Sequence, residues 1–208
     1  LLFASDLAYI EVQFTLLGAN WAHHLFVVGL VYVVAAYLWD SRTILGLALT
    51  TLAAWRGVSV SLASDWVWRS QPNDLRENAL VLGVVYVAAA SLSVLLRRKP
   101  HFEAVFANAG LVLLLGALVS GALDNDTAWD MWLAVLLVTA GVVMWHGFRL
   151  DRSLYFAQGV VAGYVGLLRL LFQPFRHTES GIPYLLAALL GLGMLFVIFA
   201  AHRRMQER

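Results

Sequence analysis

Residues Ile182–Ala201 read IPYLLAALLGLGMLFVIFAA, an apolar run without a charged side chain. A helix that crosses the hydrocarbon core of a bilayer, which is roughly 30 Å thick, needs about 20 mostly apolar residues. Proline is tolerated in the first turn of a helix, and Pro183 stands at the second position of this run. The run therefore predicts a transmembrane helix.

Six further windows have the same apolar character. They are Ala22–Leu38, Ile44–Leu62, Ala79–Leu96, Phe102–Leu123, Met131–Trp145 and Leu154–Phe172. Short linkers follow the first, third and fifth windows, and short linkers favour antiparallel neighbours. We therefore predict an all-α fold, a polytopic membrane helix bundle. Its seven transmembrane helices, built largely from antiparallel hairpins, occupy residues 21–201.

The composition excludes several classes of protein. Of the 208 residues 61% are hydrophobic and 13% are charged, whereas an ordinary soluble domain has roughly 25% charged residues. Such a chain has too little polar surface to cover a soluble fold, and it is too apolar to be disordered. The formal net charge of +1 gives no basis for a nucleic-acid partner. Because cysteine is absent, disulfides and thiolate metal sites are excluded.

The two ends of the chain differ from the apolar windows. In residues 1–20, Asp6 and Glu11 interrupt the apolar pattern, so we predict an interfacial or extramembrane segment. An eighth, broken helix is the alternative. Residues 202–208 form a basic tail. Because residue 1 is not methionine and no basic leader precedes the first window, we expect the natural chain to begin earlier.

The basic residues predict the orientation of the chain. Nine of the 14 lysines and arginines fall on one predicted side of the membrane: Arg42, Arg97, Arg98, Lys99, Arg149, Arg152, Arg203, Arg204 and Arg208. Cytoplasmic loops carry such an excess of positive charge. We therefore predict an N-terminus outside, a cytoplasmic tail at residues 202–208, and a location in the inner (plasma) membrane.

Two arginines interrupt the predicted spans. Arg56 lies within the second window, where an arginine in hydrocarbon costs roughly 2.5–3.5 kcal/mol and marks a candidate functional residue. It binds an anionic ligand in one interpretation and extends to the nearer membrane surface in the other. Arg169 lies one turn from the external end of the sixth window, so both arginines are placed to share one externally open cavity. Asn108 and Gln158 lie deeper and either form interhelical hydrogen bonds or join that site. The candidate ligand-binding residues are Arg56, Arg169, Asn108 and Gln158.

The sequence names no catalytic residues and no metal ligands. The six histidines all lie at the ends of predicted spans, where histidine is an ordinary interfacial residue. Paired axial haem ligands face each other from neighbouring spans, and His101 and His146 are the best-placed pair. We expect no cofactor, and haem between these two histidines is the alternative.

Small residues indicate close helix packing. Gly159 and Gly163 form a G-x-x-x-G pattern, with Gly166 nearby. This pattern lets two helix backbones approach closely. The partner helix belongs either to this chain or to another copy of it.

Several stretches resemble bacterial polytopic membrane proteins of unknown function. The resemblance rests on Trp39-Asp40-Ser41-Arg42, on Leu45–Thr51 and on Ala53–Gly57. It extends to the span from Arg152 to Arg169 and to His202-Arg203-Arg204, and so covers most of the chain. The resemblance implies a bacterial membrane protein and carries over no active site.

Three classes of function remain after these exclusions. The first is a non-enzymatic membrane module, meaning a scaffold, a sensor or a subunit of a larger membrane assembly. The second is a transporter or binder of a small anionic or lipid-like ligand that uses Arg56 from an outward-facing cavity. The third is a membrane-embedded enzyme, for which the spans show no nucleophile, metal set or carboxylate pair. The expected partners are the lipid bilayer and either further copies of the chain or other membrane-complex subunits.

Overall fold

A computed structural model describes residues 23–63, 72–96, 99–124, 128–173 and 182–206. Over these ranges the protein is all-α. Its helices are α1 (His23–Trp39), α2 (Arg42–Ala63), α3 (Pro72–Leu95), α4 (Glu103–Leu123), α5 (Trp129–Arg149), α6 (Ser153–Phe172) and α7 (Ile182–Gln206). A short 3₁₀ turn, Pro100–Phe102, leads into α4. Each of the seven predicted windows is therefore confirmed as a helix.

Five segments are long and apolar enough to cross a membrane. They are Leu75–Leu95, Pro100–Leu123, Trp129–Arg149, Ser153–Phe172 and Pro183–Arg204. Helix α1 is also apolar but is shorter, with 17 residues. The prediction of a multi-pass helical membrane protein is confirmed at this level, whereas membrane crossing by α1 and α2 stays a prediction.

Helix α3 begins earlier than its apolar window indicates. The window starts at Ala79, but the helix starts at Pro72. A proline at the first helical position loses no hydrogen bond, because that N–H has no partner within the helix. Hydropathy marks where a helix meets lipid and not where it begins, so the predicted external loop of residues 63–78 is partly helical.

The chain divides into two compact units, Leu1–Gly110 and Leu111–Arg208. In the first, α1 and α2 form a hairpin with a two-residue turn. Asp40 has a positive φ of 54°, and the Ser41 N–H donates to the Ala36 carbonyl at 3.1 Å. This is the six-to-one bond of a Schellman motif, which ends a helix and reverses the chain. The predicted tight linker is confirmed.

Helix α3 attaches to α2 in this unit. The Tyr86 hydroxyl on α3 donates to the Leu49 carbonyl on α2 at 2.8 Å. The first part of α4 packs closely on α3, since a Cβ at Gly110 would lie 2.9 Å from the Gly83 carbonyl oxygen. Only glycine fits this position without moving the backbone.

The second unit contains a hairpin of the same design. Asp151 has a φ of 54°, and the Arg152 N–H donates to the Gly147 carbonyl at 2.9 Å. Helices α5 and α6 therefore reverse through a second Schellman turn. The Tyr164 hydroxyl on α6 donates to the Ala187 carbonyl at 3.0 Å, which attaches α7 to α6.

Helix α7 is the least covered of the five candidate spans. Within its most apolar window 6% of residues are buried, against 22–39% in the other four spans. Its buried residues are Pro183 and Ala201, and Ala201 packs with Phe156 and Val160 of α6. Most of the α7 surface therefore faces the surroundings of the chain, in keeping with a helix bathed in lipid.

Candidate functional site

Arg56 lies on α2 and is half-buried between α2 and α3. Its Nη2 donates a hydrogen bond to Oδ1 of Asn78 on α3. Its guanidinium carbon also lies 5.7 Å from the ring centroid of Trp55. Both contacts involve uncharged groups, one an amide oxygen and the other the face of an indole ring.

The two partners stand at similar heights along the helix pair. Tyr86 of α3 bonds Leu49 of α2, and Asn78 lies eight residues from Tyr86 while Arg56 lies seven residues from Leu49. Arg56 lies about 21 Å along α2 from Arg42, at a rise of about 1.5 Å per residue. Asn78 lies about 26 Å along the antiparallel α3 from Leu95. Both residues therefore lie in the part of the α2–α3 pair that is remote from the Asp40 turn. The two interpretations of Arg56, an anion site and extension to the nearer membrane surface, both stay predictions.

The charge of Arg56 is not neutralised by a carboxylate in the part of the chain that the structure describes. In these ranges Asp40 forms an ion pair with Lys99 and lies near His101, and no carboxylate pairs with Arg56. Trp55 packs on Phe26, with ring centroids 4.7 Å apart at 46°. The buried indole nitrogen of Trp55 has no hydrogen-bond partner among the described residues. The site is thus rich in N–H donors.

Arg169 has a packing role at the end of α6. Its Nη2 donates to the carbonyl of Asp124 at 3.1 Å, just beyond the last residue of α4. Carbonyls at the C-terminal end of a helix have no partner within the helix and favour a cation. The guanidinium also lies 5.4 Å from the ring centroid of Trp129. These contacts fasten α6 to α4 and α5.

Asn108 and Gln158 occupy different surroundings. Asn108 donates through Nδ2 to the carbonyl of Ala104 in its own helix, at 2.7 Å. Gln158 lines a groove of about 410 Å³ between the second part of α4 and α6. The other lining residues are apolar or glycine: Val112, Leu115, Gly116, Val119, Leu154, Ala157, Val161, Ala162 and Val165.

The structure therefore gives the four predicted site residues separate neighbours. Arg56 and Asn108 belong to the first unit, and Arg169 and Gln158 belong to the second. Arg56 contacts Asn78 and Trp55, which the sequence did not single out. A cavity shared by Arg56 and Arg169 stays a prediction.

A charged cluster that the sequence did not identify lies at the opposite end of the first unit. Nζ of Lys99 is 2.7 Å from Oδ1 of Asp40, and Nε2 of His101 is 3.2 Å from the same oxygen. The hydrogen bond from Lys99 holds the pKa of Asp40 below its ordinary value of 3.8. The cluster joins the α1–α2 turn to the segment that leads into α4. An acid in one short linker and a lysine in the next were the available signal.

Aromatic rings support this cluster. Lys99 also donates to the carbonyl of Tyr37. Its ammonium lies 5.7 Å from the Tyr37 ring centroid and 5.5 Å from that of Phe102. The two rings meet edge to face at 5.2 Å, and Phe102 is fully buried. Lys99 therefore has a defined position, unlike an ordinary surface lysine.

His101 and His146 are the predicted haem pair. His101 is engaged with Asp40 in the first unit, whereas His146 is exposed near the end of α5 in the second. Over the described ranges, no group of three or more His, Asp or Glu side chains is arranged to hold a metal ion. These contacts do not test haem binding, which stays a prediction.

Comparison with known proteins finds no relative of this chain. No family model, curated protein or solved structure matches the chain. The resemblance to bacterial membrane proteins of unknown function therefore stays a prediction, and the function must be argued from the contacts described above.

Proposed function

We propose that this protein is a non-enzymatic module of the bacterial inner membrane: a scaffold, a sensor or a subunit of a larger membrane assembly. The proposal rests on one observation: polar side chains within the spans donate hydrogen bonds to backbone carbonyls. Tyr86 and Tyr164 each donate to a backbone carbonyl of a neighbouring helix. Asn108 and Ser93 donate to carbonyls of their own helices.

These bonds favour packing over a transport pathway. A transporter places several polar groups around a midplane cavity, often where helices are broken. In this chain the groove beside Gln158 is otherwise lined by apolar residues and glycine. An enzyme needs a nucleophile or an acid–base pair in reach of a pocket. The bonds above instead satisfy backbone carbonyls, two of them on a neighbouring helix and two on the same helix.

The proposed orientation places the N-terminus outside and the C-terminus in the cytoplasm. The basic turn at Arg149 and Arg152 and the basic end of α7 support it, because α6 and α7 run antiparallel. Since the chain lacks cysteine, single-cysteine variants give a clean test. Asp130→Cys should react with an impermeant maleimide in intact spheroplasts, whereas Arg204→Cys should react only after lysis. The reverse labelling would contradict the orientation.

Reconstitution tests the proposal against the transporter alternative. Proteoliposomes should take up chloride, phosphate and small carboxylates no faster than protein-free vesicles. A saturable uptake that Arg56→Gln abolishes would overturn the proposal in favour of a transporter.

Native mass spectrometry of membrane extracts tests the assembly part. It should show this chain in a complex of defined stoichiometry, and a monomer at native abundance would contradict an assembly role. A photocrosslinker placed at Leu189, which is 65% exposed on α7, should join the chain to the subunit found by mass. The same probe at Ala201, which is 8% exposed, serves as the buried control.

A second candidate function is favoured by one observation. Among the described residues Arg56 is held by an amide and an indole ring and by no carboxylate, which leaves its positive charge to attract an anion. This arrangement supports a binder of a small anionic or lipid-like ligand, with or without the assembly role.

A further inference from the structure

The Arg56–Asn78 pair has the position and chemistry of a headgroup site. We propose that it binds the phosphate group of an anionic phospholipid, in the membrane leaflet opposite the Asp40 turn. This inference rests on the second candidate function and names its ligand class.

The depth of the Arg56–Asn78 pair in the membrane favours a lipid headgroup as its ligand. Asn78 lies about 26 Å from the Leu95 end of α3, and the hydrocarbon core is roughly 30 Å thick. The Asp40–Lys99–His101 cluster marks the other membrane face, because the Asp40–Lys99 ion pair belongs at the water interface. The Arg56–Asn78 pair thus lies about 4–9 Å inside the opposite edge of the hydrocarbon core, close to the headgroup layer.

The donors of Arg56 suit a phosphate. A guanidinium presents five N–H groups in a planar fork, and Asn78 accepts from one nitrogen. Phosphate accepts two parallel N–H bonds from such a fork, and these charge-assisted bonds are about twice as strong as neutral ones. Asn78 accepts a hydrogen bond without cancelling the charge, so the pair retains the attraction for an anion that a carboxylate at this position would remove.

The aromatic neighbours hold the fork in place. The guanidinium lies over Trp55, and Trp55 packs on Phe26 of α1. A side chain that is already ordered loses less conformational freedom when it binds a ligand. Arg169 offers no equivalent site, because its guanidinium already bonds the Asp124 carbonyl and covers Trp129.

Lipid binding to the full chain in a neutral detergent tests the proposal. The probes are phosphatidylglycerol, phosphatidylcholine and inorganic phosphate, and the readouts are native mass spectrometry and the thermal unfolding midpoint. The wild-type protein should bind phosphatidylglycerol and gain stability from it. Arg56→Gln should raise the dissociation constant about tenfold or more, since a charge-assisted pair is lost. Arg56→Lys should be intermediate, because lysine keeps the charge but not the fork.

Two further variants separate binding from folding. Asn78→Asp is nearly isosteric and would pair with Arg56, so the protein should stay folded while its affinity for phosphatidylglycerol falls about tenfold. Arg203→Gln is the matched control, because Arg203 is an exposed arginine over the Phe199 ring, at 4.6 Å. This control should change the affinity by less than about twofold.

Each outcome decides between the hypotheses. Wild-type affinity in both Arg56→Gln and Asn78→Asp would overturn the headgroup site. Arg56-dependent stabilisation by inorganic phosphate alone would assign the site to a free anion, which overturns the lipid inference but retains the second candidate function. No response of the wild-type protein to any of the three probes would refute both.

Discussion

Replacing Gly159 by alanine should push α5 and α6 apart. A Cβ at Gly159 would lie 2.9 Å from the carbonyl oxygen of Ala140 and 2.9 Å from the backbone nitrogen of Met144. Both are backbone atoms of α5, so the clash cannot be relieved by rotating a side chain. At Gly163, one turn later on the same helix, a Cβ would make an ordinary contact of 3.7 Å with the Ala140 side chain.

The Gly163→Ala variant serves as a reference for the size of the effect at Gly159. Glycine in a helix interior is less favourable than alanine by about 1 kcal/mol, and both substitutions gain that amount. Overpacking costs about 1–3 kcal/mol and applies to Gly159→Ala alone. The free energy of unfolding should therefore be about 1–3 kcal/mol lower for Gly159→Ala than for Gly163→Ala. Gly163→Ala should equal or exceed the wild type.

Thermal unfolding of the three proteins in one detergent, followed by circular dichroism, measures this difference. For a chain of this size about 1 kcal/mol corresponds to about 2–4 °C. Gly159→Ala should melt below Gly163→Ala by about 2–12 °C. Equal midpoints, or a larger loss for Gly163→Ala, would refute the close contact of α5 and α6 at Gly159.

Three further predictions concern single side chains. Asp40→Asn keeps a residue that tolerates positive φ but loses the ion pair with Lys99. Because the folded-state pKa of Asp40 is lowered from 3.8, the pair stabilises the fold at neutral pH, and this stabilisation declines as the pH falls from 3.8 toward the lower folded-state pKa. The wild-type advantage in unfolding midpoint should shrink over that range and be absent below the folded-state pKa, and an advantage that grows in acid would contradict it. Tyr86→Phe removes the bond to Leu49 and should cost about 0.6 kcal/mol, with an upper limit of about 1.7, in denaturant unfolding; no measurable change would show the bond to be neutral. Arg169→Gln should lower the stability by about 1–3 kcal/mol in the same assay, with partial recovery in Arg169→Lys, and wild-type stability of the glutamine variant would contradict the packing role.

The hairpins were predictable because they depend on local sequence. Each predicted tight linker falls between two apolar windows, and Asp40 and Asp151 occupy the positive-φ position in the first and third of them. The start of α3 at Pro72 was not predicted. The charged residues that follow Pro72 delay the start of the apolar window, but they do not prevent the chain from being helical there. Hydropathy indicates which residues contact lipid, whereas charged residues outside that region can also be helical.

The candidate site was predictable in part. Arg56 stood out because a charge in an apolar span is costly. Asn78 did not, because an asparagine near a predicted loop is common and its link to Arg56 joins two helices. Lys99 was assigned to the basic side for orientation, but its contacts with Asp40 and Phe102 depend on how distant segments meet.

The sequence by itself determined that the chain forms apolar helices of membrane-spanning length. Backbone N–H and C=O groups in lipid must be satisfied within the segment, so an apolar run of sufficient length has to be a helix. Only the tertiary structure decided which face of each helix meets another. A helix that is apolar around its whole circumference does not specify its rotation or its height against a neighbour. Those two quantities place Asn78 beside Arg56 and Gly159 against α5.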